Sequence, residues 1–226
     1  MTSAIIVAAG RGTRMGPGVD KLFLEVAGRP VVAHTWARFD AVVSIAELII
    51  VTREDLKPAF SELAARCGFR KPFRLVHGGT ERQDSVGNGL DALAAGTEIV
   101  AIQDAARPCT TPALIEATIR AARETGAAVA AQRVTDTIKE SADGRTIARH
   151  LDRSRLWSVQ TPQTFRVEVI RRALATARER GLVLTDDTAA CELIGRPVRL
   201  VESVSPNPKV TVPADLAYIE LLLKSA

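Results

Sequence analysis

The sequence predicts an α/β fold, with a mostly parallel sheet covered by helices on both faces and one β-arm projecting from it. Three observations lead there: short β-branched or apolar runs recur along the chain, helical stretches with readable ends lie between them, and a single segment breaks the alternation. The runs are AIIVA (4–8), LIIVT (48–52), FRLVH (73–77), IVAIQ (99–103), AAVAA (127–131) and VRLVE (198–202). Several are apolar throughout, the pattern of strands buried on both faces. Thr111-Pro112 supplies a cap and a first-turn proline for a helix in which Leu114, Thr118, Ile119 and Ala122 fall near helical spacing, and Gly126 closes it. A second helix runs from Arg166 to Arg180, with Val167, Ile170, Leu174 and Ala177 on one face and Gly181 as its stop. The exception is 133–165, which has no clean helical period and carries the turn signal Ala142-Asp143-Gly144 between two β-like runs. It is expected to form a hairpin or arm. A lone hairpin is marginally stable in water, so a second copy of the chain is its expected packing partner.

At 226 residues the chain is expected to be one domain, 1–226, with 133–165 as its arm. Apolar residues at 46% and charged residues at 25% are ordinary globular values. A net charge of +4 without a dense Lys/Arg run argues against nucleic acid and favours a small anionic ligand. Cys67, Cys109 and Cys191 are scattered, with no CxxC pair and no His at zinc spacing, which suggests a reducing compartment. No run reaches the ~18 apolar residues of a membrane span. The apolar stretch at 4–9 ends in Gly-Arg-Gly rather than a signal-peptide cleavage site, so a cytoplasmic protein with no membrane partner is expected.

The first strand runs straight into Gly10-Arg11-Gly12, the geometry in which backbone N–H groups face an anion; a tight turn alone is the alternative. A dinucleotide fingerprint needs Gly at position 15, where Met15 stands, and Arg14-Met15 is incompatible with a P-loop. What remains is a glycine loop with its own cation, Arg14, and a second, Lys21, shortly after. Two cations beside a backbone nest suit a triphosphate being cut, because charge grows on the phosphoryl oxygens in the transition state. A solvated surface lysine is the alternative for Lys21.

Here a resemblance becomes specific. Ala8-Ala9-Gly10-x-Gly12-x-Arg14-Met15 followed by Lys21 resembles the signature of nucleotidyltransferases that join a nucleoside triphosphate to a phosphorylated small molecule. HGGTERQDSV (77–86), QDAARP (103–108), TDTIK (135–139), the LDR, LW and QTPQ motifs within 151–163, LTDD (184–187) and NPKVTVPADL (207–216) then follow in register. Together they resemble the methylerythritol-phosphate cytidylyltransferase family of the non-mevalonate isoprenoid pathway, across essentially the whole chain. The resemblance implies a Rossmann-like nucleotidyltransferase three-layer sandwich. It also implies attack by the phosphate of methylerythritol phosphate on the α-phosphorus of CTP, with release of pyrophosphate. A phosphate monoester has a second pKa near ~6 and is already a nucleophilic dianion at neutral pH, so no general base is required of His34, His77 or His150.

By the same resemblance, Arg14 and Lys21 contact the triphosphate and stabilise five-coordinate phosphorus, with Gly10 and Gly12 in the phosphate loop. Asp104, at the carboxyl end of IVAIQ where ligands bind in open α/β sheets, is assigned to the Mg²⁺ region, because an acid beside a polyanion otherwise repels it. A loop-capping aspartate is the alternative. Base selection falls to Ala8, Ala9, Gly79 and Ser85, with Arg82 nearby. Ser85 reads equally as the N-cap of a helix ending at Gly96, and Arg82 as a partner of Glu81 or Asp84. For the acceptor, Lys209 positions the attacking phosphate, and Arg107 and Thr185 stand in motifs around the same pocket. Thr137 and Arg153 lie on the arm and, in the family, reach the neighbouring subunit's site, so a homodimer is implied. An arginine there holds a phosphate through two parallel hydrogen bonds.

Trp157, Pro162 and Phe165 read as packing and turn residues, Asp186 and Asp187 as complements to the N-terminus of the TAACELI helix, and Asp215 as a first-turn acid. Two positions depart from the family pattern. Asp20 stands where proline usually precedes Lys21, which is expected to loosen the loop and weaken CTP binding. Thr80 replaces a frequent acid after the paired glycines. The rival functions are a ribitol 5-phosphate cytidylyltransferase, against which DAARP and TDD weigh, and a nucleotide-sensing module without chemistry. The sensor is expected to have lost Arg14, Lys21 or Lys209, and all three are present.

Overall fold

The computed structural model describes residues 1–10 and 20–225. In chain order the elements are β1 (Thr2–Val7), β2 (Glu25–Val26), β3 (Arg29–Pro30), α1 (Val31–Asp40), β4 (Ile45–Thr52), α2 (Lys57–Cys67), β5 (Phe73–His77), α3 (Arg82–Asp91) and β6 (Ile99–Asp104). They continue as α4 (Pro112–Thr125), β7 (Ala127–Arg133), β8 (Lys139–Glu140), β9 (Arg149–His150), β10 (Trp157–Arg166), α5 (Val167–Glu179), α6 (Asp187–Leu193), β11 (Arg199–Glu202) and α7 (Asp215–Lys224). Seven strands form one sheet in the order β11-β7-β10-β6-β1-β4-β5. Within this sheet, among the described residues, only β10 runs antiparallel to its neighbours.

All six runs singled out in the sequence are strands of this sheet, and the continuous apolar character of the central ones, β1, β4, β6 and β7, has a simple cause. Successive side chains of a strand point to opposite faces, and both faces are covered. Ile6 and Ile50 pack in a core with Trp36, Phe39, Phe60 and Ile115. Their neighbours Ile5 and Ile49 pack in a second core with Val86, Leu90, Phe165 and Ile170. The α4 helix has the expected ends: the Thr111 side chain accepts from the Leu114 N–H, Pro112 follows, and Gly126 closes the helix at φ 89°.

The segment 133–165 is not a single projecting arm. Only β8 and β9 form the hairpin, whose turn is tied by Asp143 accepting from the Arg145 and Thr146 N–H groups, with Gly144 at φ 69°. Residues 157–166 leave it and enter the sheet between β6 and β7. The sequence concealed this strand because its buried stretch, Gln160 to Thr164, is polar. Several of its polar groups find particular tertiary partners: Thr164 donates to Thr118 Oγ1 at 2.9 Å, Gln160 to Gln132 Oε1 at 2.8 Å, and Thr161 Oγ1 accepts from the Asp104 N–H at 3.1 Å. Pro162, which lacks an N–H, falls where the β10–β7 register shifts between Val159 and Gln163.

Candidate active site

The site grows from the carboxyl edge of the parallel strands. The β1 end, Val7, stands beside Val51 of β4 and Asp104 of β6. Backbone bonds extend that register into the loops, from the Ala8 N–H to Val51 O at 2.7 Å, the Gly78 N–H to Thr52 O at 2.9 Å and the Ala105 N–H to Val7 O at 3.1 Å. Three separate loops are thereby held side by side around a cavity of about 190 Å³.

Ala8, Ala9 and Gly10 line this cavity from the β1 side, Gly79, Arg82 and Ser85 from the start of α3, and Asp104, Lys21 and Lys209 from the remaining walls. Among the described residues, a methyl group on Gly10 would meet nothing within 4 Å. The paired glycines are required by close approach: a Cβ on Gly78 would collide with the Ala9 side chain, and one on Gly79 with Asp84. Gly12 and Arg14 lie outside the described residues.

Ser85 is not an N-cap. Glu81 caps α3 in a reciprocal box with Asp84, and the helix ends at Asp91 rather than Gly96. Ser85 sits one turn inside and its hydroxyl accepts from the Gly79 N–H at 3.0 Å, tying the glycine wall to the helix. Nor does Arg82 pair with Glu81 or Asp84. Its Nη1 donates to Asp187 Oδ2 at 2.8 Å, and its Nε lies 3.4 Å from Asp104 Oδ1.

Asp104 is the electrostatic centre. Lys209 Nζ reaches Oδ2 at 2.8 Å, and Arg107 Nε lies 3.6 Å from the same oxygen. Burial alone would raise this carboxyl; the Lys209 ammonium and the Arg82 guanidinium overcome it and hold it at about 2. The residue is therefore a fixed anion among three cations rather than a loop cap, and its acidity is justified before any ligand binds. Burial pushes the Asp187 carboxyl up, partly offset by Arg82. Burial also lowers Arg107, against the attraction of Asp104.

A second cavity, about 290 Å³, adjoins the first and shares Arg82, Asp104 and Lys209 with it. Arg107 and Thr185 line it, together with Thr161 and Gln163 of β10. The loop carrying Lys209 is pinned from below: Asn207 donates to Thr161 O at 2.9 Å and accepts from Thr110 Oγ1 at 2.9 Å, while Arg107 donates to Asn207 O at 2.6 Å. Lys21 Nζ donates to Val210 O at 2.7 Å, which joins the two lysine-bearing segments. Thr137 and Arg153 line neither cavity; the Arg153 guanidinium donates to Thr135 O at 2.6 Å within the arm.

Sequence reasoning missed Asp187. Asp186 does cap α6, accepting from the Ala189 N–H at 2.9 Å, but Asp187 is buried with 1% exposure against Arg82. One acid suffices for a cap, so the doubled Asp was the available signal. Gln163, whose amide bridges Asp186 and the Asp187 N–H, gave no signal within a polar stretch.

Known proteins resemble this chain over nearly its whole length. The sequence profile described as IspD: 2-C-methyl-D-erythritol 4-phosphate cytidylyltransferase matches residues 2–225. The 2-C-methyl-D-erythritol 4-phosphate cytidylyltransferase of Geobacillus kaustophilus is 43% identical over 222 residues, covering 98% of this chain and 96% of that one. Among solved structures, the 4-diphosphocytidyl-2C-methyl-D-erythritol synthase of Anaerococcus prevotii superposes with a TM-score of 0.88 at 30% identity, covering 99% of this chain and 96% of that one. The Thermus thermophilus cytidylyltransferase gives 0.81 at 31% identity, with 99% and 100% covered. A profile match over residues 2–225 and relatives of this identity and coverage make this chain a member of the 2-C-methyl-D-erythritol 4-phosphate cytidylyltransferase family.

Proposed function

We propose that the chain transfers CMP from CTP to the phosphate of 2-C-methyl-D-erythritol 4-phosphate, giving CDP-methylerythritol and pyrophosphate for isoprenoid precursor synthesis. The observation that carries this reading is the junction: two cavities meet at Arg82, Asp104 and Lys209, where a nucleotide in one and a phosphorylated acceptor in the other bring two anions together. Their repulsion is the main obstacle, and the cations there offset it while the fixed geometry replaces random encounter. An acceptor phosphate drawing on Lys209 competes with Asp104 for the ammonium. Asp104 retains Arg82 and Arg107 when Lys209 turns to substrate. The acceptor dianion attacks without a base. Lys21, and Arg14 by resemblance, meet the charge that develops on the α-phosphoryl oxygens.

A magnesium ion fits the donor set in one form. Mg²⁺ is commonly held through one or two carboxylates, with substrate phosphates and waters completing its shell. Asp104, ionised at the junction, supplies that single carboxylate; among the described residues there is no cluster of three His, Cys, Asp or Glu able to hold a metal alone. When bound, the ion neutralises charge on the nucleotide phosphates.

The exposed β8–β9 hairpin supports a homodimer in which Thr137 and Arg153 reach the second subunit's acceptor cavity, since within one chain they lie outside both cavities. Among the described residues no helix is long and apolar enough to cross a membrane, and the reaction's soluble substrates suit the cytoplasm. The test is pyrophosphate release from CTP and Mg²⁺ with methylerythritol phosphate or ribitol phosphate, using wild-type and Lys21→Ala protein. Release with methylerythritol phosphate alone, lost in the variant, is expected; release only with ribitol phosphate, or with neither, overturns the reading.

A further inference from the structure

Asp20, beside Lys21, is held at both carboxylate oxygens. Oδ1 accepts from the Leu22 N–H at 3.0 Å and Oδ2 from Arg53 Nη2 at 3.0 Å. Arg53 follows directly on the end of β4, and its Nε also donates to Asp55 Oδ1 at 3.3 Å. The Asp20 and Arg53 side chains are 20% and 25% exposed, against 74% and 45% for Asp91 and Arg171, so this pair is withdrawn from water where most surface pairs are not. Leu22, whose N–H it fixes, is buried at 3% exposure and lines the nucleotide cavity. On the far side Lys21 reaches Val210 O. The segment 20–22 is thus fastened to the β4 edge at one end and to the Lys209 loop at the other. Within this segment Asp20 acts as an anchor.

We infer that Asp20 and Arg53 are positioning residues for Lys21: their ion pair holds the lysine segment against the cavity and neutralises the carboxylate that precedes the catalytic ammonium in the chain. Left unpaired, that carboxylate would compete with the nucleotide phosphates for Lys21 and repel them. Paired, it serves as an acceptor for the Leu22 N–H and a tether to the strand edge. The effect is on orientation, so it is felt more in turnover than in acceptor binding. The inference deepens the CTP reading and rests on it.

The test compares Asp20→Ala, Arg53→Ala, the double variant and Arg53→Lys in pyrophosphate release, with amide hydrogen exchange at Leu22 and Phe23 measured on the same proteins without substrate. Each single alanine variant is expected to lower kcat about tenfold while the acceptor KM stays within about twofold. The double variant falls no further than Asp20→Ala, and Arg53→Lys recovers most of the loss. Exchange at Leu22 rises in both single variants. Losses that multiply in the double variant, unchanged kcat, or unchanged exchange in Arg53→Ala each overturn the inference. Absence of turnover in the wild type overturns the CTP reading instead, and the exchange comparison then decides the anchor by itself.

Discussion

Lys209 Nζ lies 2.8 Å from Asp104 Oδ2, so the lysine assigned to the acceptor and the acid assigned to the nucleotide are one ion pair. The pair couples the two cavities. Lys209→Ala is expected to lower kcat by about 100-fold and raise the acceptor KM, because both charge and direction of attack are lost. Steady-state kinetics with each substrate varied in turn checks it; a change confined to the CTP KM contradicts it.

Arg82 bridges Asp104 and the buried Asp187. Removing Asp187 takes away the nearer acid at 2.8 Å and leaves Arg82 with Asp104 alone at 3.4 Å. Asp187→Ala is expected to destabilise the protein by about 3 kcal/mol in urea unfolding, and the Arg82→Ala/Asp187→Ala double variant by less than the sum of the singles. Additive losses would mean that the two side chains act separately.

The Asp104 carboxyl stands at about 2 in the folded protein, below its ordinary value of ~3.9. The unfolded chain takes up this proton first as pH falls, so the group stabilises the fold fully above about pH 4, by about 2 kcal/mol, and that contribution disappears toward pH 2. Asp187, raised by burial, acts in the opposite sense: its contribution is present at acid pH and lost as pH rises beyond the ordinary carboxylate range. The stability difference between wild type and Asp104→Asn is therefore expected to shrink between about pH 4 and pH 2. A difference that is constant over that window contradicts the ion-pair assignment.

Gly79→Ala drives a methyl group into Asp84, at the capping box of α3. The Gly79 wall must shift and the Ser85 contact is lost, so the CTP KM is expected to rise about tenfold with a smaller change in the acceptor KM. Isothermal titration with CTP reads the same loss without turnover.

A mixed dimer of Arg153→Ala and Lys21→Ala subunits contains one site with both residues intact if the arm reaches across. It is expected to recover about a quarter to a half of wild-type activity, depending on subunit exchange. Recovery no greater than either parent places Arg153 outside the partner's site.

The parallel strands were legible in sequence because strands covered on both faces must be apolar throughout, and the ends of α4 were legible because Thr111, Pro112 and Gly126 act through local backbone chemistry. The glycine, arginine and lysine motifs raise the expectation of an anion site by the same kind of reasoning, since close backbone approach and positive charge are properties of single residues. Tertiary structure decided the rest. Gln160 to Thr164 become a buried strand only because Thr118, Gln132 and Asp186 arrive to accept their hydrogen bonds. Arg82 finds Asp187 across 105 positions, and Asp20 finds Arg53 across 33, so neither pair follows from local spacing. Charges are written in the sequence one at a time, whereas their partners, and hence their pKa values and roles, are set by which loops the sheet edge brings together.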